Sequence, residues 1–519
     1  MINQYQISIK EAKKEITNTL HIYLSRNEWG QYEIPVEKQR PILLMGPPGI
    51  GKTAIVEQVA ASEGIALVSY TITHHTRQSA IGLPVIHDRE YDGECFSVTE
   101  YTMSEIIASV YEKMEQTGQK QGILFLDEIN CVSETLAPTM LQFLQYKTFG
   151  THRVPEGWII VVAGNPPEYN KSVREFDITT LDRLKRIDIV EDYPSWREYA
   201  YSHQVHPAIL SYLDIRKDHF YQVETAIGGE EFITARGWED LSRYLHACEK
   251  QELPITSATV HQYIQHEETA RNFSNYYELF CKYRQHYHIT SILEGVSPED
   301  TTSEGKALRT ALEHLRDAGF DEAVSVISLL LGRLNEAFGE LHQTDSSLSL
   351  VHQCLQHFRG HLSTSRKTPG ELLQEEYERL QQTLRTEKAA RQLTEERERH
   401  ILSALSQLSS LHQTLASHKE NDPERAFALV KEQFGNDVNQ YRSSAGEAGQ
   451  ALTNAFLFLE KALSGRQEMV LFVTELTLSP LAVWFISEHG CDKFYEYNKE
   501  LLIDDKKAEL KRKIHELSL

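Results

Sequence analysis

The sequence predicts an α/β fold, a parallel sheet covered by helices, followed by a smaller helical domain and an all-helical C-terminal region. Two observations carry this prediction. Between about Arg40 and Val190 short apolar runs alternate with helical spacing, and the runs PILLMG, ALVSYTI, GILFLDE, WIIVVAGN and KRIDIV are each continuous rather than alternating. Strands buried on both faces have this pattern. From about Tyr193 to Tyr283 such runs stop and helical spacing takes over, as in Trp196, Tyr199 and Ala200 and later Trp238, Leu241 and Leu245.

With 519 residues the chain has room for about three domains. Its 40% hydrophobic and 25% charged residues are ordinary for a soluble globular protein. A formal net charge of -22 argues against indiscriminate binding to nucleic acid or anionic lipid. No apolar run approaches a membrane span, and the start MINQYQISIK lacks the apolar centre of a secretory signal, so a cytoplasmic location is expected. Cys95, Cys131, Cys248, Cys281, Cys354 and Cys491 are scattered singly, which suits reduced thiols rather than a disulfide framework or a zinc site. The adjacent pair His74 and His75 has no third ligand near it in sequence and is not read as a metal site.

The organisation expected from these patterns is an N-terminal helical segment over 1–35, the α/β domain over 36–192, a helical lid over 193–294 and a linker over 295–305. A helical region follows over 306–425, then a C-terminal helical segment over 426–519. The linker GVSPEDTTSEG is rich in proline, serine, threonine and acid, and it is read as a boundary that separates a partner-docking tail from the rest. Between Glu371 and Lys419 the apolar positions Leu373, Tyr377, Leu380 and Leu384, then Ile401, Leu405, Leu408 and Leu415, step by threes and fours, with a last step of seven. Glu387 and Arg391 interrupt that seam, leaving a coiled-coil arm and an ordinary helical bundle as alternatives.

The chemistry starts at MGPPGIGKT, where Gly46, Pro47, Pro48, Gly49, Ile50, Gly51, Lys52 and Thr53 fit the spacing G-x-x-x-x-G-K-[ST]. A strand, PILLM, enters this loop and a helix, TAIVEQVAAS, leaves it. Backbone N–H groups at such a turn can wrap phosphates, the helix N-terminus adds partial positive charge, Lys52 reaches the outer phosphates and Thr53 ligates Mg²⁺. GILFLDEIN then brings Asp127 and Glu128 to the end of a buried strand. Asp127 is suited to the Mg²⁺ shell and Glu128 to polarising an attacking water, the distinction between a hydrolysing enzyme and a nucleotide switch. WIIVVAGNPPEYN places Asn165 at the end of the next strand, where its amide can position the same water.

The order of glycine loop, Asp-Glu strand, strand-end Asn, Arg183 before the last strand and Arg236 in a helical lid resembles the AAA+ ATPases over about Arg40 to Cys248. QYKTFGTHRVPEGWIIVVAGNPPEYN followed by EFDITTLDRL is most similar to the MoxR branch. The resemblance implies ATP hydrolysis with Mg²⁺, Asn165 as sensor 1, Arg183 as the arginine finger acting on a neighbouring subunit's nucleotide and Arg236 as sensor 2. It also implies a homo-oligomeric ring, taken as a hexamer, that remodels or activates a partner protein in a chaperone-like way. That partner class includes proteins with a von Willebrand factor A domain. Leu184 stands where the family usually has Phe, which leaves Arg186 and Arg174 open as fingers, and Ala235 stands where it often has Pro.

GLPVIHDREYDGECFSVTEY reads as a hairpin turning at Asp92-Gly93, and a second small one is expected around Phe149-Gly150. MoxR-type proteins carry such an inserted hairpin directed at the ring's pore. ALSGRQE, at Ala462 to Glu468, is a chance likeness to a transporter signature loop, because it falls far beyond the Asp-Glu strand. Two other functions fit parts of the pattern: a GTP- or ATP-driven motor subunit of a nuclease system, and a scaffold that binds nucleotide with little hydrolysis. Net acidity opposes the first, and Glu128 with Asn165 opposes the second.

Overall fold

In a computed structural model of the chain the residues described are 5–74, 82–169, 173, 176–226, 229–362, 365, 367–389, 393–418 and 422–499. Arg174 and His75 lie outside them. The chain divides into two compact units: Met1–Ser195 with Arg379–Glu398, and Trp196–Glu378 with Arg399–Leu519.

The first unit is built on five parallel strands, β1 (Ile42–Met45), β2 (Ala66–Thr71), β5 (Gly122–Asp127), β8 (Trp158–Gly164) and β9 (Lys185–Asp188), in the order β2-β5-β8-β1-β9. Side chains alternate between faces, and both faces are buried. Leu43, Leu124, Leu126, Ile160 and Val162 enter one core, while Ile42, Leu44, Ile123, Phe125, Ile159 and Val161 enter the other. This two-sided burial is why the runs are apolar without alternation. Helix α1 (Ile9–Leu24) starts with a capping box between Ser8 and Glu11 and buries Ala12, Ile16 and Leu20 in the second core. Helix α2 (Lys52–Ser62) adds Ile55, Val56 and Val59 to the same face. On the opposite face lie α3 (Glu105–Thr117), which contributes Ile106, Ile107 and Val110, and α4 (Ala137–Tyr146), which contributes Met140, Phe143 and Leu144.

Two ribbons stand apart from the sheet. β3 (Pro84–Tyr91) and β4 (Glu94–Tyr101) pair in antiparallel register from Pro84↔Tyr101 to Tyr91↔Glu94, with Asp92 and Gly93 both at positive φ (51° and 83°) in the turn. Two successive left-handed residues match the twist of a two-residue hairpin, so the Asp-Gly signal meant what it usually means. β6 (Thr148–Phe149) and β7 (His152–Arg153) form the second ribbon, anchored by the Phe149 ring stacked on Phe143 at 4.1 Å. The short helix α5 (Ile178–Leu181) precedes β9.

The second unit is mostly helical. Helix α6 (Tyr193–Ser202) enters it and α7 (Pro207–Ile215) follows. Then come strands β10 (Gln222–Ala226) and β11 (Gly229–Ile233), an antiparallel hairpin where only helices were expected. The helices that follow are α8 (Ala235–Lys250), α9 (Ser257–His261), α10 (Glu267–His286), α11 (Ile289–Leu293), α12 (Ser303–Asp317) and α13 (Phe320–Leu362). After them come α14 (Pro369–Ala389), α15 (Glu395–His418), α16 (Pro423–Leu463), α17 (Gln467–Leu478) and α18 (Pro480–His489).

The expected boundary at 295–305 does not divide the molecule, since the chain on both sides of it belongs to the second unit. Its composition has a local use instead: Thr302 caps α12 by accepting from Gly305 N at 3.1 Å, and Gly305 is buried. The tail is fused to the lid by a buried polar cluster. Arg197 on α6 pairs with Asp214 at 2.8 Å and with Glu475 on α17, and Tyr201 donates to the same Glu475. Close packing adds to the bond, because a Cβ on Gly332 of α13 would meet Pro207 Cγ at 2.5 Å. The tail helices therefore belong to the same compact unit as the lid helices.

The paired helices α14 and α15 settle into a bundle over the part in the second unit. Gln407 donates to Ser347 on α13 at 3.2 Å, and Gln433 on α16 to Ser410 at 3.0 Å. Toward their tip Glu387, which breaks the apolar seam, is met by Arg397 at 3.3 Å, and Lys388 by Glu398 at 2.7 Å. All six cysteines are free. Among the described residues no single helix is long and apolar enough to cross a membrane.

Candidate functional site

Parallel register brings the strand ends to one edge: Met45 lies opposite Gly164 and Asp188, and Thr71 opposite Asp127. The order of the strands reverses beside β1, where open α/β sheets bind ligands. The glycine loop leaves β1 at this edge. Gly49 and Gly51 have φ of 74° and 95°, a region in which a side chain is strained, and Gly51 is the N-cap of α2. The chain thereby turns its N–H groups and the helix N-terminus inward, an anion-binding geometry.

Lys52 is buried and donates from Nζ to the carbonyls of Gly46 (2.8 Å) and Pro47 (2.7 Å) and to Asn165 Oδ1 (2.8 Å). The ammonium is thus held between the loop and β8, at the point that outer phosphates would occupy. Thr53 Oγ1 donates to Asp127 Oδ2 at 2.9 Å. Two hard oxygen donors at this separation match one edge of an octahedral Mg²⁺ shell, in which bonds of about 2.1 Å put adjacent oxygens about 3 Å apart. The residues present fit that ion.

Glu128 follows in the left-handed region at φ 56°, which costs a non-glycine residue about 1 kcal/mol or more. Its Oε2 accepts from Thr73 Oγ1 at 3.0 Å, at the end of β2. The strain turns the Glu128 side chain toward the strand edge rather than into the core. Cys131, in the next turn, has its thiol pushed up by burial and by Glu128 and Asp127.

Arg183 is exposed just after α5. Hydrogen bonds from Thr180 and Thr179 and, behind them, the Arg183 charge hold the Asp177 carboxyl below its ordinary value. Asp177 caps α5, accepting from Thr180 N (2.8 Å) and Thr179 Oγ1 (2.9 Å), and Asp182 lies 3.9 Å from Arg40. Among the described residues Arg183 makes no ion pair, whereas Arg186 is held by Asp188 at 2.8 Å. Leu184 is buried in the sheet's core. Arg236, exposed, opens α8 in the second unit, where Thr234 caps the helix by accepting from Gly237 N at 3.1 Å.

The first unit therefore assembles the loop residues, Asp127, Glu128 and Asn165 at one edge, with Arg183 exposed on the same unit and Arg236 on the other. Sequence reasoning missed Thr73 and Asn130, whose contacts with Glu128 and Asn165 are tertiary. In the second unit His206, His246 and Glu249 lie close together. His206 Nδ1 accepts from Ala208 N at 3.1 Å while Nε2 faces Glu249 at 3.3 Å. With the Nδ1 lone pair used, Nε2 carries the proton, so the trio is a hydrogen-bonded network rather than a cation site. Burial pushes the Glu249 carboxyl up, but the His206 hydrogen bond and the Arg284 charge outweigh it and hold the group at about 2.

Residues 42–180 match the model of the AAA family, the ATPase family associated with various cellular activities. The chain carries an AAA+ ATPase domain on an α/β fold. It is 27% identical over 124 residues to the ATP-dependent protease ATPase subunit HslU of Persephonella marina (strain DSM 14350 / EX-H1). The match covers 23% of this chain and 25% of that protein, so the chain spans about a quarter of the relative's length.

Proposed function

We propose that the protein is a ring-forming ATPase that hydrolyses ATP with Mg²⁺ and uses the cycle to remodel a partner protein. The observation that carries this reading is the linked set at the strand edge, where Thr53 meets Asp127, Lys52 meets Asn165, and Glu128 follows Asp127 and accepts from Thr73. In this reading the loop N–H groups and Lys52 bind the β- and γ-phosphates. Thr53 and Asp127 hold Mg²⁺, which when bound neutralises charge building between those phosphates. Glu128 polarises the attacking water and Asn165 orients it. Arg183 reaches the nucleotide of a neighbouring subunit as the finger, and Arg236 senses the bound state from the lid. Arg183 makes no ion pair among the described residues whereas Arg186 is bound by Asp188, which favours Arg183 for that role.

Remodelling is assigned to the β3–β4 ribbon. Ile86, Tyr91 and Phe96 on it are 72%, 51% and 48% exposed, more apolar surface than a solvated ribbon needs. The likeness to the MoxR branch supports a hexameric ring and a partner with a von Willebrand factor A domain, and the similarity to a protease ATPase subunit supports an ATPase working on proteins. Subunit mixing tests the reading. Arg183→Ala and Glu128→Gln proteins should each turn over ATP about 100-fold or more slowly than the parent. Mixed, they should recover part of it, because some interfaces then pair an intact Glu128 with an intact Arg183. A parent protein that stays monomeric with ATP, or mixtures no faster than their components, would contradict a shared site.

A further inference from the structure

Asn130 sits two residues beyond Glu128, in the turn closed by Cys131 N donating to Glu128 O at 2.9 Å. It is 2% exposed. Its Nδ2 donates to the backbone carbonyl of Asn165 at 2.7 Å. The amide orientation is forced, since the flipped form would set two acceptors against each other. Its Oδ1 is buried without a hydrogen-bond partner. Leaving a buried acceptor unmatched is unfavourable, and an aliphatic side chain would fill the space without that penalty. The amide N–H is what an aliphatic residue cannot supply.

The neighbouring backbone is shaped to admit this side chain. A Cβ on Gly164 would come within 2.7 Å of Asn130 Oδ1 and 2.9 Å of its Cγ. Gly164 has no positive φ to justify glycine, so close approach is the reason for it. Asn165 then presents Oδ1 to Lys52 Nζ at 2.8 Å. A continuous connection thus runs from the Glu128 turn through Asn130 to Asn165 and Lys52.

We propose that Asn130 is a positioning residue for hydrolysis. By holding the Asn165 carbonyl it fixes where the Asn165 amide stands relative to Glu128 and Lys52, and Gly164 makes room for the hold. Asn130 touches neither nucleotide nor water. The inference rests on the ATPase reading above.

The test is a double-mutant cycle on the full chain with Asn130→Ala, Gly164→Ala and both together, reading kcat, KM and analogue binding. A displacement of the amide by about 1 Å should lower kcat by roughly 10- to 100-fold in each single variant. KM and affinity for a non-hydrolysable ATP analogue should stay close to the parent's. The double variant should be no slower than either single, because the methyl at 164 has nothing left to displace. Circular-dichroism melting confirms that each variant is folded, and Gly164→Ala supplies the answer should Asn130→Ala fail to fold. Parent-like kcat in both singles, a rise in KM with kcat unchanged, or additive losses would overturn the role of Asn130. A folded parent protein with no ATP turnover would overturn the ATPase reading itself, a separate result.

Discussion

At the level of single residues, charge and backbone conformation make two claims that can be checked. Gly51 holds a φ of 95° at the head of α2. Gly51→Ala should cost about 1 to 2 kcal/mol locally and swing the loop N–H groups off the phosphates. Titration by calorimetry should then show at least about tenfold weaker nucleotide binding, which corresponds to 1.4 kcal/mol. Glu249 gives a pH dependence. Its folded value of about 2 lies below the ordinary 4.5, so the unfolded chain binds the proton first as pH falls. The stability it contributes is complete above about pH 4.5 and is lost as pH drops toward 2. A shift of that size is worth about 3 kcal/mol. In Glu249→Gln the acid limb of the denaturation profile between pH 4.5 and 2 should flatten; an unchanged limb would mean that the ion network is already matched in the unfolded chain.

Among the elements, the β3–β4 ribbon makes the clearest prediction. Its residues from Pro84 to Tyr91 are all exposed, so its tip contributes little to the core. Replacing Tyr91 and Phe96 by Ala should leave melting and basal ATP turnover near parental values and abolish work on the partner; a large drop in melting temperature would make the ribbon structural. This ribbon was legible because Asp92-Gly93 is a local signal. The five sheet strands were legible for the same kind of reason, continuous apolar runs that only two-sided burial explains. Only the start of helix α12 was obscured, because Thr302, which caps it, belongs to a stretch whose composition also suits a linker. β10 and β11 were obscured too: Glu224 pairs with Glu231 and Thr225 with Glu230, so little apolar alternation marks them. Of the site, the loop and Asp127-Glu128 could be read directly, since each is a short contiguous motif. Asn130 and Thr73 could not, because their meaning lies in contacts with Asn165 and Glu128, far off in sequence.

For the whole molecule, the lid and the tail share one unit, and the polar cluster around Glu475 binds them. Burial pushes the Glu475 carboxyl up while Arg197 pulls it down, the mark of an acid whose place depends on its partners. Glu475→Ala removes the carboxylate that Arg197 and the Tyr201 hydroxyl share, and should destabilise the second unit by about 3 to 5 kcal/mol. Urea unfolding followed at Trp196, Trp238 and Trp484 would report it; a loss below about 1 kcal/mol would show that the tail is dispensable to the lid. The central claim for the first unit is that Glu128 polarises the water in a site built by Lys52, Thr53, Asp127 and Asn165. Mg²⁺-dependent ATP turnover by the Glu128→Gln protein, measured beside its ATP affinity, tests this most directly. The account predicts ATP bound as tightly as by the parent and turnover lowered by about 100-fold or more; undiminished turnover would contradict it.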